Sequence, residues 1–310
     1  MSFASDVKSE LLQIDLENDC CMLAQLSAIL RMNGDFVIRR GSFGINFATE
    51  NAALARQVLK SIKKHFQVTT EVVVTRSQKL RKNNRYQLKI LPAPEVGKLV
   101  DKLRLHPADD GRIEHSLLIS PCCRRAFLRG VFLASGSVNT PEAHYHLEIV
   151  THNENFVQTI SRLMKHFKLH PKITDRKNEY VVYLKEGDAI VRFLSVIGAH
   201  DALLKFENVR VVKQMRNQVN RLVNCETANL DKTIQAAFHQ VECIRFLEQN
   251  NAFDTLPPKL KEIALLRLEH PEGNLSELVA IHGELSKSGM NHRLKKLENL
   301  ASELGMRKQE

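Results

Sequence analysis

The chain has 310 residues, 43% of them hydrophobic, with 45 Lys and Arg against 35 Asp and Glu for a net charge of +10. That length holds two or three domains with an ample core, and no stretch approaches the roughly 18 consecutive apolar residues of a membrane span. An excess of base without a membrane segment points toward nucleic acid.

In chain order, Ser2 to Ile14 reads as a short amphipathic helix without the basic start or apolar centre of a secretory signal. A helix over Cys20 to Gly34, CCMLAQLSAILRMNG, comes next. Phe36 to Thr49 alternates as a hairpin with Arg39, Arg40, Gly41 and Ser42 at its turn. Asn51 to Phe66 is amphipathic and ends in His-Phe, and two strands between Val68 and Ile90 flank a loop over 78 to 85. Pro92 and Pro94 stop the second strand, and Glu95 to Leu105 closes this half with a helix. The polar loop His106 to His115 is the natural seam.

Beyond the seam the order repeats: a helix over 122 to 135, a hairpin over 137 to 151, a helix over 153 to 167 that again ends in His-Phe, strands around 172 to 185, and a helix over Asp188 to Ile197. A shift of 102 positions lays Cys20, Cys21, Ala24, Leu26 and Gly34 on Cys122, Cys123, Ala126, Leu128 and Gly136, five identities in fifteen ungapped positions. A period this long is a whole subdomain, so two similar halves related by an approximate two-fold axis are expected. Gly130, Ala134 and Ser135 line one side of the second repeat helix, which predicts that the repeat helices pack through small residues. The glycine closing each is expected to turn the chain sharply.

The six cysteines match neither CxxC metal spacing nor a disulfide framework. Two readings of the Cys-Cys pairs stay open: a shared metal or redox site on the two-fold axis, and small buried hydrophobes. The second is preferred, and no metal is assigned. His144 and His146 share a face of an expected strand and are preferred as a surface pair over a metal site. No HExxH, GxGxxG or phosphate-loop pattern occurs, so no cofactor and no small-molecule substrate is assigned.

Base is clustered. Arg76, Lys79, Arg81, Lys82, Arg85 and Lys89 follow one another without an acid, and Lys205, Arg210, Lys213, Arg216 and Arg221 face Glu207 alone. From Ala199 to Gln249 the chain is helical and charged, and Asn220 to Thr233 is expected to join two helices there, Lys205 to Val223 and Asp231 to Gln249.

Three short helices end the chain. Leu260, Ile263, Ala264 and Leu268 stripe the first, Asn274 and Glu277 form a capping box for the second, and Gly283 ends it. The third begins near Ser286 or Ser288 and carries the stripe Met290, Leu294, Leu297, Ala301 and Leu304. That pattern fits a helix-turn-helix, with a small interaction bundle as the other reading. At about 100° per residue, Ser288, His292, Lys295, Lys296 and Asn299 point away from the stripe, with Asn291 on the flank. Ser288, Asn291, His292 and Lys295 are expected to read bases, and Lys287, Arg293 and Lys296 to hold phosphates, with Ser286 beside them at the helix start. Arg76, Lys79, Arg81, Lys82 and Arg85 form a second candidate phosphate-binding set.

The paired halves, over about residues 20 to 198, resemble the LAGLIDADG homing-endonuclease fold. In that family each signature helix ends on an acid just before its final Gly, and the two acids hold the metals that cleave DNA. Those positions fall on Asn33 and Ser135 here, and an amide and a hydroxyl do not supply the charge a hard cation needs. Together with NRLVNCETANLDKT, LPPKLKEIALLRLEHP and SKSGMNHRLKKLENLA, the degenerate signature helices make the whole chain resemble the WhiA family of bacterial DNA-binding regulators. The resemblance implies double-stranded DNA as partner, regulatory or division proteins besides, and no membrane. It further implies a cytoplasmic, nucleoid-associated location and roles in sporulation, cell division and chromosome segregation. The expected fold class is α+β. A pseudo-two-fold LAGLIDADG-like domain spans 1–198, with repeats of about 15–105 and 116–198. A helical arm over 199–250 joins it to an all-α helix-turn-helix domain over 255–310. The chain is expected not to be an enzyme; an active homing-type endonuclease and a protein-binding division scaffold are the alternatives.

Overall fold

The computed structural model describes residues 2–16, 18–39, 41–76, 84–106, 109–110, 113 and 115–306, in two units, 1–213 and 214–310. In the first unit α1 (Phe3–Leu11) starts on Ser2, whose hydroxyl accepts from the Ser5 amide. The first repeat then runs α2 (Asp19–Asn33), β1 (Gly34–Arg39), β2 (Ser42–Thr49), α3 (Ala52–His65), β3 (Thr70–Arg76), β4 (Asn84–Ile90) and α4 (Pro94–Lys102). The second runs α5 (Pro121–Ser135), β5 (Gly136–Val138), β6 (Leu147–Thr151), α6 (Glu154–His166), β7 (Lys172–Arg176), β8 (Glu179–Leu184) and α7 (Gly187–Ile197). Their antiparallel sheets have matching orders, β1-β2-β4-β3 and β5-β6-β8-β7. Asn51 and Asn153 cap α3 and α6 through their side-chain oxygens, an equivalent device in each half.

Strand alternation gives each sheet one apolar face. Ile45 stands opposite Ile90 and Phe47 opposite Leu88 in the first; Leu147 stands opposite Leu184 and Ile149 opposite Val182 in the second. All eight are buried. The core closes where α2 meets α5. A Cβ on Gly130 would lie 2.5 Å from the Gln25 carbonyl oxygen and 2.8 Å from Ala28 Cβ, so the two backbones touch there. Every residue from Cys21 to Leu30 except Leu23 is buried, as expected of a helix enclosed on all sides.

Gly34 and Gly136 act differently from expectation. Their φ values, −106° and −68°, are ordinary extended backbone, so neither makes a left-handed turn. A Cβ would instead stand 2.4 Å from the Leu30 carbonyl oxygen at the first and 2.2 Å from the Phe132 ring at the second. Each glycine leaves room for its helix to pass straight into a strand.

The segment from His200 to Gln249 is one continuous helix, α8, and the break expected over Asn220 to Thr233 does not exist. No Gly or Pro occurs in it, and Asn and Thr cost a helix only about 0.5–0.7 kcal/mol each. The Thr233 hydroxyl also donates back to the Asn229 carbonyl at 2.9 Å. The division between the units falls inside this helix: Ala202 and Phe206 are buried in the core of the first, and Cys243, Ile244 and Leu247 in that of the second. The second unit adds α9 (Pro258–Glu269), α10 (Leu275–His282) and α11 (Lys287–Glu303). No helix among the described residues is long and apolar enough to cross a membrane.

Gly130→Ala should lower stability by about 1–3 kcal/mol, since the methyl must displace backbone. Gly97→Ala, on α4 with nothing within 4 Å of the added carbon, should raise it by about 0.5–1 kcal/mol. Denaturant midpoints of both variants check the pair; equal shifts would mean that α2 and α5 do not meet at Gly130.

Candidate nucleic-acid interface

Helix α11 is positioned from both ends. Gly283, at φ +78°, reverses the chain after α10, and the Ser286 hydroxyl accepts from the Gly289 amide at 3.2 Å to start α11. Asn274 and Glu277 make the expected capping box on α10. Met290, Leu294, Leu297 and Ala301 are buried against Leu260, Ile263 and Ala264 of α9, Leu278 of α10 and the end of α8. Leu304, expected to extend this stripe, is exposed past the helix end.

With the apolar stripe inward, Ser286, Lys287, Ser288, His292, Lys295 and Lys296 are exposed, and Asn291 and Arg293 are half-buried on the flanks. The structure therefore gathers the eight candidate residues on one helix. Among the described residues no ion pair involves Lys287, Arg293, Lys295 or Lys296, and the three lysines are exposed. Ser286 is committed to its cap, which leaves its hydroxyl proton for an outside acceptor.

Sequence reasoning missed Arg267. It is 2% exposed in α9, and its guanidinium donates to the carbonyls of Gly273 (2.6 Å) and His270 (3.3 Å), pinning the connection that sets the angle of α10. Burial holds its pKa below the usual arginine value. Leu268, expected in the stripe, is only half-buried.

The second basic run divides by pleat. Arg85 stands opposite Thr75 on the outer face with Gln87 and Lys89, whereas Arg76, opposite Asn84, lies on the face of Tyr86 and Leu88. Lys79, Arg81 and Lys82 lie outside the described residues. His144 and His146 precede β6 rather than forming a strand; His146 meets Glu148 at 3.0 Å and stacks on Tyr183.

Asn33 and Ser135 are the last residues of α2 and α5. The Ser135 hydroxyl donates to the Val150 carbonyl at 2.8 Å. Asn33 and Ala134 line a cleft of about 420 Å³ together with Lys8, Glu50 and Arg85. Two bases against one carboxylate repel a divalent cation. Lys8 sits 5.9 Å from the centre of the Phe132 ring, and burial pushes its pKa down to about 8.

A domain of two pseudo-symmetric halves on paired helices, followed by a three-helix turn motif, defines a LAGLIDADG-like protein carrying a helix-turn-helix. Family models match accordingly: the WhiA N-terminal LAGLIDADG-like domain over residues 19–106, the WhiA LAGLIDADG-like domain over 124–216, and the WhiA C-terminal helix-turn-helix domain over 219–301. The chain belongs to the WhiA family. It is 46% identical over 310 residues to the probable cell division protein WhiA of Oceanobacillus iheyensis, covering 98% of each chain. It is 47% identical over 308 residues to the protein of that name from Heliobacterium modesticaldum, covering 97% of this chain and 96% of the other. The crystal structure of full-length WhiA from Thermatoga maritima shares the fold, with a TM-score of 0.61 at 24% identity over 99% of this chain and all of the other.

Replacing Lys8 tests the charge buried in the cleft. Its folded pKa lies below the ordinary lysine value of 10.5, so between about pH 8 and 10.5 the unfolded chain binds more protons and stability rises with pH. Below pH 8 the desolvation cost is felt in full. Lys8→Met should therefore stabilise the protein at pH 7 by about 1–3 kcal/mol, and the gain should fade toward pH 10. Thermal melts at both pH values check this, and a gain independent of pH would remove Lys8 charge as the cause.

Proposed function

We propose that this chain is a non-cleaving, sequence-specific DNA-binding regulator acting in cell division. The outward face of α11 carries the proposal: a basic, acid-free run from Lys287 to Lys296 on a helix whose opposite side is anchored in the core. In a helix-turn-helix the N-terminal residues of the last helix reach base edges in the major groove while flanking bases hold phosphates. Ser288, Asn291, His292 and Lys295 are assigned to bases, and Lys287, Arg293 and Lys296 to phosphates. The names of the relatives supply the process, and the family resemblance extends it to sporulation and chromosome segregation on the nucleoid.

Asn291→Ala should cost about 1–3 kcal/mol on the target duplex and narrow its margin over random DNA. Lys287→Ala with Lys296→Ala should weaken all duplexes alike and reduce the salt slope by roughly two units. Affinities on specific and scrambled duplexes at several salt concentrations check both. Full discrimination retained by Asn291→Ala would move the reading surface off α11.

The neutral side chains of Asn33 and Ser135, with Lys8 and Arg85 in the cleft that Asn33 lines, support the absence of cleavage. Supercoiled plasmid should survive incubation with Mg²⁺ or Mn²⁺; linear product that is lost in Asn33→Ala would overturn this.

A further inference from the structure

Four thiols meet where α2 and α5 begin. Cys20 and Cys21 are the second and third residues of α2, and Cys122 and Cys123 hold the equivalent positions in α5. Their four Sγ atoms lie within 4.8 Å of one another, and no other group of three or more Cys, His, Asp or Glu ligand atoms gathers this way among the described residues. Contacts run across the pair: the thiol of Cys21 with that of Cys122, and the thiol of Cys20 with that of Cys123.

Neighbouring residues on one helix diverge by about 100°, so a single Cys-Cys pair cannot enclose an ion. Two pairs on two helices side by side can, each supplying two corners of a tetrahedron. Thiolates around zinc stand about 2.3 Å from the metal and hence about 3.8 Å from each other, which fits the observed envelope. A group this tight takes one ion and leaves no volume for a multi-iron cluster. Small buried hydrophobes, the preferred expectation from sequence, account for Cys21 and Cys123, which are buried, but not for Cys20 and Cys122, which are exposed. Half the cluster thus opens to solvent and gives an ion its entry path.

We propose that Cys20, Cys21, Cys122 and Cys123 bind one zinc ion in a structural site that staples the two repeats together. Binding sends the four thiol protons to solvent and changes no oxidation state. Four thiolates and Zn²⁺ leave two negative charges. The positive ends of two 15-residue helices, neither with a side-chain cap, stand at the site to offset them. The Arg129 guanidinium lies within Coulombic reach of Cys21.

The test uses the full chain, purified under reducing conditions and supplied with zinc alone, then with cobalt. Elemental analysis after gel filtration should find one zinc per chain, and the cobalt form should show the thiolate charge-transfer bands of a tetrahedral sulfur site. Cys20→Ser with Cys122→Ser alters only the exposed pair, so the fold should persist by circular dichroism while zinc affinity falls more than about tenfold. A chelator should lower the melting temperature of the parent chain and leave that of the variant unmoved. Should the double variant unfold, Cys122→Ser alone carries the same comparison. Zinc absent from the reduced parent chain, or retained equally by a folded variant, overturns the proposal. So do disulfides linking Cys20 or Cys21 to Cys122 or Cys123 that persist in reductant, as a mass shift would reveal.

Discussion

The close approach of α2 and α5 at Gly130 is the constraint on which the first unit depends. With Gln25 and Ala28 pressed against a glycine, the helices lie side by side and run in one direction. At about 1.5 Å per residue each spans about 22 Å. Their starts gather the four sulfurs, and their ends bring Asn33 and Ala134 to one cleft. Each helix passes straight into the first strand of its own sheet through Gly34 or Gly136, so the direction of the pair also fixes where both sheets begin.

One of the two bases in the cleft at the far end comes from a segment outside either repeat. Phe3, Val7 and Leu11 bury one side of α1 in the shared core, and that places Lys8 over Phe132. The same short helix supplies Glu10, whose carboxylate accepts from the backbone amides of Asp201 (2.8 Å) and Ala202 (3.0 Å) at the start of α8. A carboxylate at a helix N-terminus satisfies unpaired donors and opposes the helix dipole. One nine-residue helix therefore brings Lys8 to the cleft and anchors the start of α8.

What was legible in sequence was whatever repeats or acts locally. Five identities between the signature helices, the two His-Phe endings, and the Asn274 and Glu277 spacing each reflect contacts within one element or between equivalent ones. What was hidden depends on polar groups whose partners lie far along the chain. Glu10 reaches residues 191 and 192 positions away, and the convergence of two Cys pairs needs the helix packing before it exists. Arg267 was hidden because an arginine beside Leu268 reads as solvent-facing, yet loop carbonyls hold it inside. The continuity of α8 is not legible because Asn and Thr, which only weakly disfavour a helix, look like a break in sequence.

Element geometry, more than the count of bases, decides which surface can hold DNA. On β3 and β4 the pleat sends Arg76 to one face and Arg85 with Lys89 to the other, so the described members of a run that looks continuous in sequence stand on two faces. On α11 the 3.6-residue period does the opposite: Ser288, His292, Lys295 and Lys296 fall on one side because Met290, Leu294 and Leu297 are held on the other. Phosphates along a duplex form a continuous rail of charge, and a single coherent face meets it where a divided one does not. A helix locked by its own core also loses little freedom on docking, so more of each contact appears as affinity. On α11 the exposed bases share one face of a helix whose other side is buried in its own core.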